Sequence, residues 1–190
     1  MSFLDLVKQR FSCRKFLQLP VEDEKILQCI EAARLAPSAC NAQPWKFIVV
    51  NNIKLKEELT KQATAGIYKL SKFISNAPVI IVVVADKAGF LSKVGSLIRD
   101  TRFYLIDIGI ACEHLVLQAT ELGLGSCYVG WFSEKGVRKV LNIPKNYKIP
   151  LLICLGYIDP SSKQTDVIRK HAKSELRKEI KEIVSFNKFL

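Results

Sequence analysis

One sheet with helices on both faces, in a single domain spanning residues 1–190, is the architecture the sequence predicts. Three observations predict it. The run "PVIIVVVA" at residues 78–85 is continuously apolar and β-branched, as a strand covered on both sides must be. Residues 98–122 read as a helix that is apolar almost all round, so it belongs in the middle of the molecule. Further strand-like runs include "WKFIVV", "SCYVGWF" and "LLICLGY", and the five or so strands expected are too few and too unevenly spaced for a barrel.

The elements follow in order. Ser2 and Asp5 have the spacing of a capping box for a first helix ending near Arg10. "FSCRKFLQLP" is then a loop. Glu22, Asp23 and Glu24 suit the positive N-terminus of a second helix, whose apolar face is Ile26, Ile30 and Ala33 with Leu27 alongside. Pro37 ends it, and "WKFIVV" is a strand. A polar helix covers residues 53–62. After the central helix Gly123 is a natural C-cap. A last helix is expected over residues 174–184, with Leu176, Ile180 and Ile183 or Val184 as its stripe and Lys178 and Glu182 paired.

The net charge of +11 favours anionic partners: nucleic acid, a membrane surface or phosphorylated small molecules. No recognition motif or aromatic–basic interleaving supports nucleic acid. The apolar stretch at residues 103–119 is broken by Asp107, Glu113, His114 and Gln118, which argues against a membrane span. Six scattered cysteines without a C-x-x-C pair, and only two histidines, assemble no metal pattern and read as reduced, cytoplasmic thiols. "LGLGSCYVG" leads into a strand and lacks G-x-x-x-x-G-K-[ST], so it is neither a phosphate loop nor a dinucleotide fingerprint.

Four constellations could carry chemistry. In "RFSCRKF", Arg10, Ser12 and Arg14 alternate, so an extended loop points all three the same way, toward phosphate or an electron-rich planar group; a solvent-facing loop is the plainer reading of that spacing. In "LAPSACNAQPWKFIVV", Pro37 fixes the chain and Ser38, Asn41 and Gln43 offer donors and acceptors; turn chemistry explains Ser38 but not the whole set. In "GLGSCYVGWF", glycines and Ser126 allow close approach to a flat ligand, with Tyr128 and Trp131 as walls; a glycine-capped helix entering a buried strand explains it equally well. The basic tail, Arg169 to Lys181, is mostly a solvated face.

Taken together and in this order, the motifs resemble the FMN-dependent nitroreductase family. The matches are R-x-S-x-R-x-F at Arg10, Ser12, Arg14 and Phe16, and A-P-S-x-x-N-x-Q-P-W-x-F from Ala36 to Phe47 without a mismatch. G-x-G-S-C-W-V/I-G follows from Gly123 to Gly130, with Tyr128 in the tryptophan place, and Arg177-Lys178 precede E-I-V at the end. The resemblance implies an α+β fold: a three-layer α/β/α sandwich with a mixed, mostly antiparallel sheet, in an intertwined homodimer sharing two FMN sites. It implies that Arg10, Ser12 and Arg14 hold the phosphate end and the pyrimidine edge of the flavin, with Arg177 at the phosphate. Tyr128, Val129 and Gly130 would lie against the ring, while Pro37, Ser38 and Asn41 reach it from the other subunit. The implied reaction is ping-pong: NADH or NADPH reduces FMN and a nitroaromatic, quinone or related small molecule reoxidises it, with no catalytic side chain, no metal, no nucleic acid and no membrane. Reductive dehalogenation or flavin fragmentation is the alternative within that resemblance. A lid over the acceptor is expected at residues 67–76 or 90–100. Phe11 stands where many relatives carry a second cation, and the residues after Arg177 depart from the usual proline-containing pattern.

Overall fold

The computed structural model describes residues 1–86 and 101–189. Four strands, β1 (Trp45–Val50), β2 (Val79–Ala85), β3 (Leu124–Val129) and β4 (Lys148–Tyr157), form one sheet in the order β1-β2-β4-β3. All three pairings are antiparallel. Among the described residues the parallel element is an isolated bridge between Ser12 and Ser126.

The pleat of β2 divides the core in two. Ile80, Val82 and Val84 enter one cluster with Leu59, Val137 and Leu152. Val79, Ile81, Val83 and Ala85 enter the other with Ile26, Ile108 and Leu115. The first cluster is roofed by α3 (Ile53–Ala63) and α5 (Glu134–Val140), the second by α2 (Asp23–Arg34) and α4 (Phe103–Glu121). This is the expected sandwich, and it explains why "PVIIVVVA" carries no polar face.

Local chemistry sets the ends of the helices. In α1 (Phe3–Gln9) the Ser2 hydroxyl accepts the Asp5 N–H while Asp5 accepts the Ser2 N–H, and Arg10 caps the other end through Leu6 O. Asn52 caps α3 through the Leu55 N–H. Gly123, at φ +76°, closes α4. On α2 the buried face is Ile26, Cys29 and Ala33, and Leu27 is turned to solvent. On α4 the buried face is Asp107, Ile108, Ala111, Cys112, Leu115, Val116 and Ala119. Although α4 is long and apolar enough to span a bilayer by composition, that face packs on α2 and the sheet. His114 Nδ1 lies 3.3 Å from Ala32 O, a structural contact between α4 and α2.

Two expectations need correction. The sequence pattern missed α5, started by Ser133 through the Gly136 N–H, and the 3-10 run Gly66–Asn76. The expected last helix is reduced to α8 (Ile180–Ile183), preceded after β4 by the short α6 (Ser162–Thr165) and α7 (Val167–His171). A capping box between Glu179 and Glu182 begins α8, and Leu176, Ile180 and Ile183 are all exposed. The apolar stripe finds nothing among the described residues to bury against, and a segment that short does not hold helix on propensity alone. The ion pair formed there is Lys181–Glu179 at 2.8 Å, in place of the expected Lys178–Glu182.

Two outcomes test this packing. Ile81, fully buried against both roofing helices of its face, should cost about 2–5 kcal/mol as Ile81→Ala, read by urea unfolding. Burial pushes the thiols of Cys29 and Cys112 up to about 12 and that of Cys127 to about 11. Unfolded thiols therefore ionise first as pH rises past 9, while the native ones keep their protons. Stability is full below pH 9 and should fall steadily between pH 9 and 11, measured as the denaturant midpoint.

Candidate functional site

β3 is an edge strand, and its open side is closed by the loop after α1. Ser12 bridges Ser126, and the Cys13 N–H donates to Ser126 O at 2.8 Å. A Cβ at Gly125 would stand 2.8–2.9 Å from Ile158 and Cys13, so only glycine admits this approach. Cys13 is thereby driven inside, and burial raises its pKa.

The same placement separates the three alternating residues. Arg10 and Ser12 line a cavity of about 890 Å³. Arg14 lines none of it: its Nη1 donates to Asp166 Oδ2 at 2.7 Å, and its guanidinium lies 5.5 Å from the Phe73 ring centre. Asp166 is buried, and a buried carboxylate requires a countercharge. That requirement overrides the simple alternation.

Arg177 arrives at the same cavity from the far end of the chain, its Nη1 donating to the carbonyls of Ser174 and Leu176. Lys8 and Lys163 also line it, against Glu113 and Glu175, so cations outnumber anions. A second cavity of about 330 Å³, lined by Gly123, Gly125 and Ser126, shares Arg10, Phe11 and Lys163 with the first. Arg10 Nε is 4.0 Å from Glu113 Oε1, a loose and partly solvated pair. Glu113 also accepts the Tyr128 hydroxyl at 3.1 Å. Burial first, then the Glu113 charge, raises the Tyr128 pKa, so its hydroxyl remains a donor.

Beyond Tyr128, Val129 is buried in the first core cluster. Gly130 faces open space, with no atom within 4 Å of where a Cβ would stand. Trp131 is half exposed but held: its Nε1–H donates to Ile67 O at 3.2 Å, its carbonyl accepts the Ser71 hydroxyl, and its ring packs at 5.3 Å from Tyr68. The 3-10 run Gly66–Asn76 thus abuts the end of β3, which suits the first of the two lid stretches; residues 90–100 extend outside the described residues.

The bend at residues 37–43 is built separately. Cys40, Asn41 and Gln43 all have positive φ, between 44° and 53°, each costing about 1–3 kcal/mol. Ser38 Oγ accepts the Gln43 N–H at 3.0 Å, and Asn41 Oδ1 accepts from Gln43 Nε2 at 3.0 Å. The Ala39 N–H donates to Asp107 Oδ1 at 3.0 Å, while Oδ2 of this buried side chain has no hydrogen-bond partner among the described residues. Pro37, Ser38 and Asn41 do not line the cavity of their own chain. Among the described residues no cluster of three His, Cys, Asp or Glu side chains is placed to hold a metal ion.

Sequence reading missed Asp107, Glu113, Lys163 and Asp166. For the first two a signal existed: an acid inside an otherwise apolar helix must be answered by a partner. Lys163 and Asp166 carried none, because their neighbours lie about 150 positions away.

Fold and cavity together define a three-layer α+β protein with a cation-rich cavity at a sheet edge. The profile of the nitroreductase family matches residues 7–157, and the chain belongs to that family. It is 34% identical over 158 residues, 81% of this chain and 84% of the other, to an Archaeoglobus fulgidus protein provisionally named NADH dehydrogenase/NAD(P)H nitroreductase. The crystal structure of a nitroreductase family protein from Clostridium difficile 630 superposes with a TM-score of 0.81 at 30% identity, covering 100% of both chains. The FMN-dependent nitroreductase of Clostridium difficile R20291 superposes at 0.74 with 31% identity, covering 98% of this chain and 100% of that one. The α+β fold and the oxidoreductase class implied by the motifs therefore hold.

The Arg14–Asp166 pair yields a stability prediction. Arg14→Met leaves a buried carboxylate short of its cation and should cost about 3 kcal/mol in urea unfolding at pH 7.

Proposed function

We propose that this chain holds FMN in the basic cavity at the β3 edge and works as a homodimer whose two sites are each completed by both subunits. It is an NAD(P)H-dependent flavin oxidoreductase. The observation that carries the site is the meeting of Arg10, Ser12 and Arg177, from opposite ends of the chain, in one cation-rich cavity. Its volume of about 890 Å³ suits a ligand of this size, and guanidinium, ammonium and hydroxyl donors suit a phosphate monoester. The residues present therefore fit FMN.

When bound, FMN supplies two-electron transfer from NAD(P)H to an electron-poor acceptor, a nitroaromatic or quinone, in a ping-pong cycle. The chain's own part is to bind, orient and exclude. Arg10, Ser12 and Arg177 grip the anionic end, and Arg14 holds the loop from behind. The loose Arg10–Glu113 pair leaves Arg10 free to turn to an anion. Positive charge at the ring edge favours the reduced, more negative flavin. The backbone of Tyr128, Val129 and Gly130 offers a flat wall, and open space at Gly130 lets a ring lie close. Pro37, Ser38 and Asn41 enter from the second subunit, on the strained bend that its Asp107 supports.

Exposed apolar side chains support the dimer: Phe3 and Leu4 on α1, Ile106 on α4, and Phe186 and Phe189 in the tail. Six free thiols and a small-molecule reaction support a cytoplasmic place, without nucleic acid or membrane as partner.

The purified protein should be yellow, dimeric by sedimentation, and bleached anaerobically by NADH or NADPH. Arg10→Ala with Arg177→Ala should weaken FMN about 10- to 100-fold by fluorescence titration. Colourless, monomeric protein indifferent to added FMN would defeat the reading. Turnover of halogenated phenols in place of nitroaromatics would move it to reductive dehalogenation.

A further inference from the structure

Resting on the flavin-site reading above, we infer that Asp107 is a positioning residue for the site of the other subunit. It holds the bend at residues 37–43 in the strained shape that reaches across, and it lowers the stability of its own chain in doing so.

Asp107 is 3% exposed and shares the buried face of α4 with Ile108, Ala111 and Cys112. It takes one hydrogen bond, from the Ala39 N–H to Oδ1 at 3.0 Å. Oδ2 has no hydrogen-bond partner among the described residues, and no ion pair found among them includes Asp107. A carboxyl group buried with so few partners is costly to the fold. Ala39 is only half-buried, so water can serve its N–H if the acid is removed. An apolar side chain of similar shape at 107 would therefore suit the isolated chain at least as well.

The bend hangs on that contact. Among the described residues, Ala39 N–H on Asp107 is the one hydrogen bond joining residues 37–43 to another element. Their other bonds are internal. Ser38 Oγ accepts the Gln43 N–H and Ser38 O the Asn41 N–H, both at 3.0 Å. Ala39 O accepts the Ala42 N–H at 3.0 Å, and Gln43 Nε2 donates to Asn41 Oδ1. Three of these residues hold positive φ; asparagine tolerates that region, whereas Cys40 and Gln43 are there against preference. Freed from Asp107, the segment would relax toward ordinary backbone angles. Pro37, Cys40, Asn41 and Gln43 are exposed on their own chain. A costly buried acid and a strained backbone thus converge on a surface loop that lines no part of its own cavity. Both are accounted for when the loop's shape is required by the flavin of the second subunit.

The test follows apo stability and FMN uptake in the full chain. Asp107→Leu removes the acceptor and keeps the shape; Asp107→Asn keeps an oxygen for the Ala39 N–H. The urea midpoint of apo Asp107→Leu should equal or exceed that of the wild type, while its FMN dissociation constant rises about 10-fold. Asp107→Asn should recover most of the affinity. Mixed dimers then locate the defect. One subunit carries Arg10→Ala with Arg177→Ala, so that at limiting FMN only its partner holds cofactor. Asp107→Leu placed on the FMN-poor subunit should weaken the remaining site about 10-fold; placed on the FMN-holding subunit it should not.

A lower urea midpoint, or failure to fold, in apo Asp107→Leu overturns the inference, because the acid would then serve its own fold. Unchanged FMN affinity overturns it too, as does an Asp107→Asn protein as impaired as Asp107→Leu. A defect that follows the FMN-holding subunit does the same, and each of these results leaves the flavin site standing. A wild type that takes up no FMN defeats the flavin-site reading itself, and the inference with it.

Discussion

The open edge of β3 is the constraint on which the site depends. An edge strand presents unpaired backbone groups that must be covered. Here residues 12 and 13 cover them, through the Ser12–Ser126 bridge and the Cys13 N–H on Ser126 O. Once that contact is made, much else follows. Residue 125 must be glycine, Cys13 must be inside, and Arg10 and Ser12 must stand at the mouth of a cavity. The loop that would otherwise be solvated surface becomes a fixed wall, with Arg10 on its cavity side and Arg14 paired to Asp166.

α4 joins the two halves of the proposed dimeric site from within a single chain. Two of its acids, Asp107 and Glu113, lie six residues apart in a helix otherwise apolar enough to serve as core. Glu113 takes Arg10 and Tyr128, so it sets the electrostatics of the cavity side. Asp107, buried, takes the Ala39 N–H and supports a bend with three left-handed non-glycine residues. Backbone strain of that size persists only where the surroundings over-determine it, and a rigid helix is a suitable support. A shift of α4 would therefore be felt at both ends at once.

How much of this was legible in the sequence depended on the range of the interaction. β1, β2, α2 and α3 could be read almost to the residue, because burial periodicity and capping are local. The bend and the Arg10–Ser12 loop could be picked out by their residue types. α5 could not, since its seven residues carry no long periodic stripe. Arg14 turns from the cavity of its own chain for a related reason. Local alternation aims it at the cavity, but a buried Asp166 more than 150 positions on outweighs that preference. The tail failed differently: its apolar stripe is real, and nothing among the described residues covers it.

The charges around the cavity also bear on what kind of chemistry the chain performs. Arg10, Arg177, Lys8 and Lys163 line the cavity, and burial keeps the proton on Tyr128. Both histidines are engaged elsewhere with backbone carbonyls, His114 on Ala32 and His171 on Val167. A protein that fixes an anionic cofactor and leaves electron transfer to it needs clustered cations and a close-fitting wall. The paired guanidiniums of Arg10 and Arg177, the close approach at Gly125 and the open face at Gly130 meet that requirement.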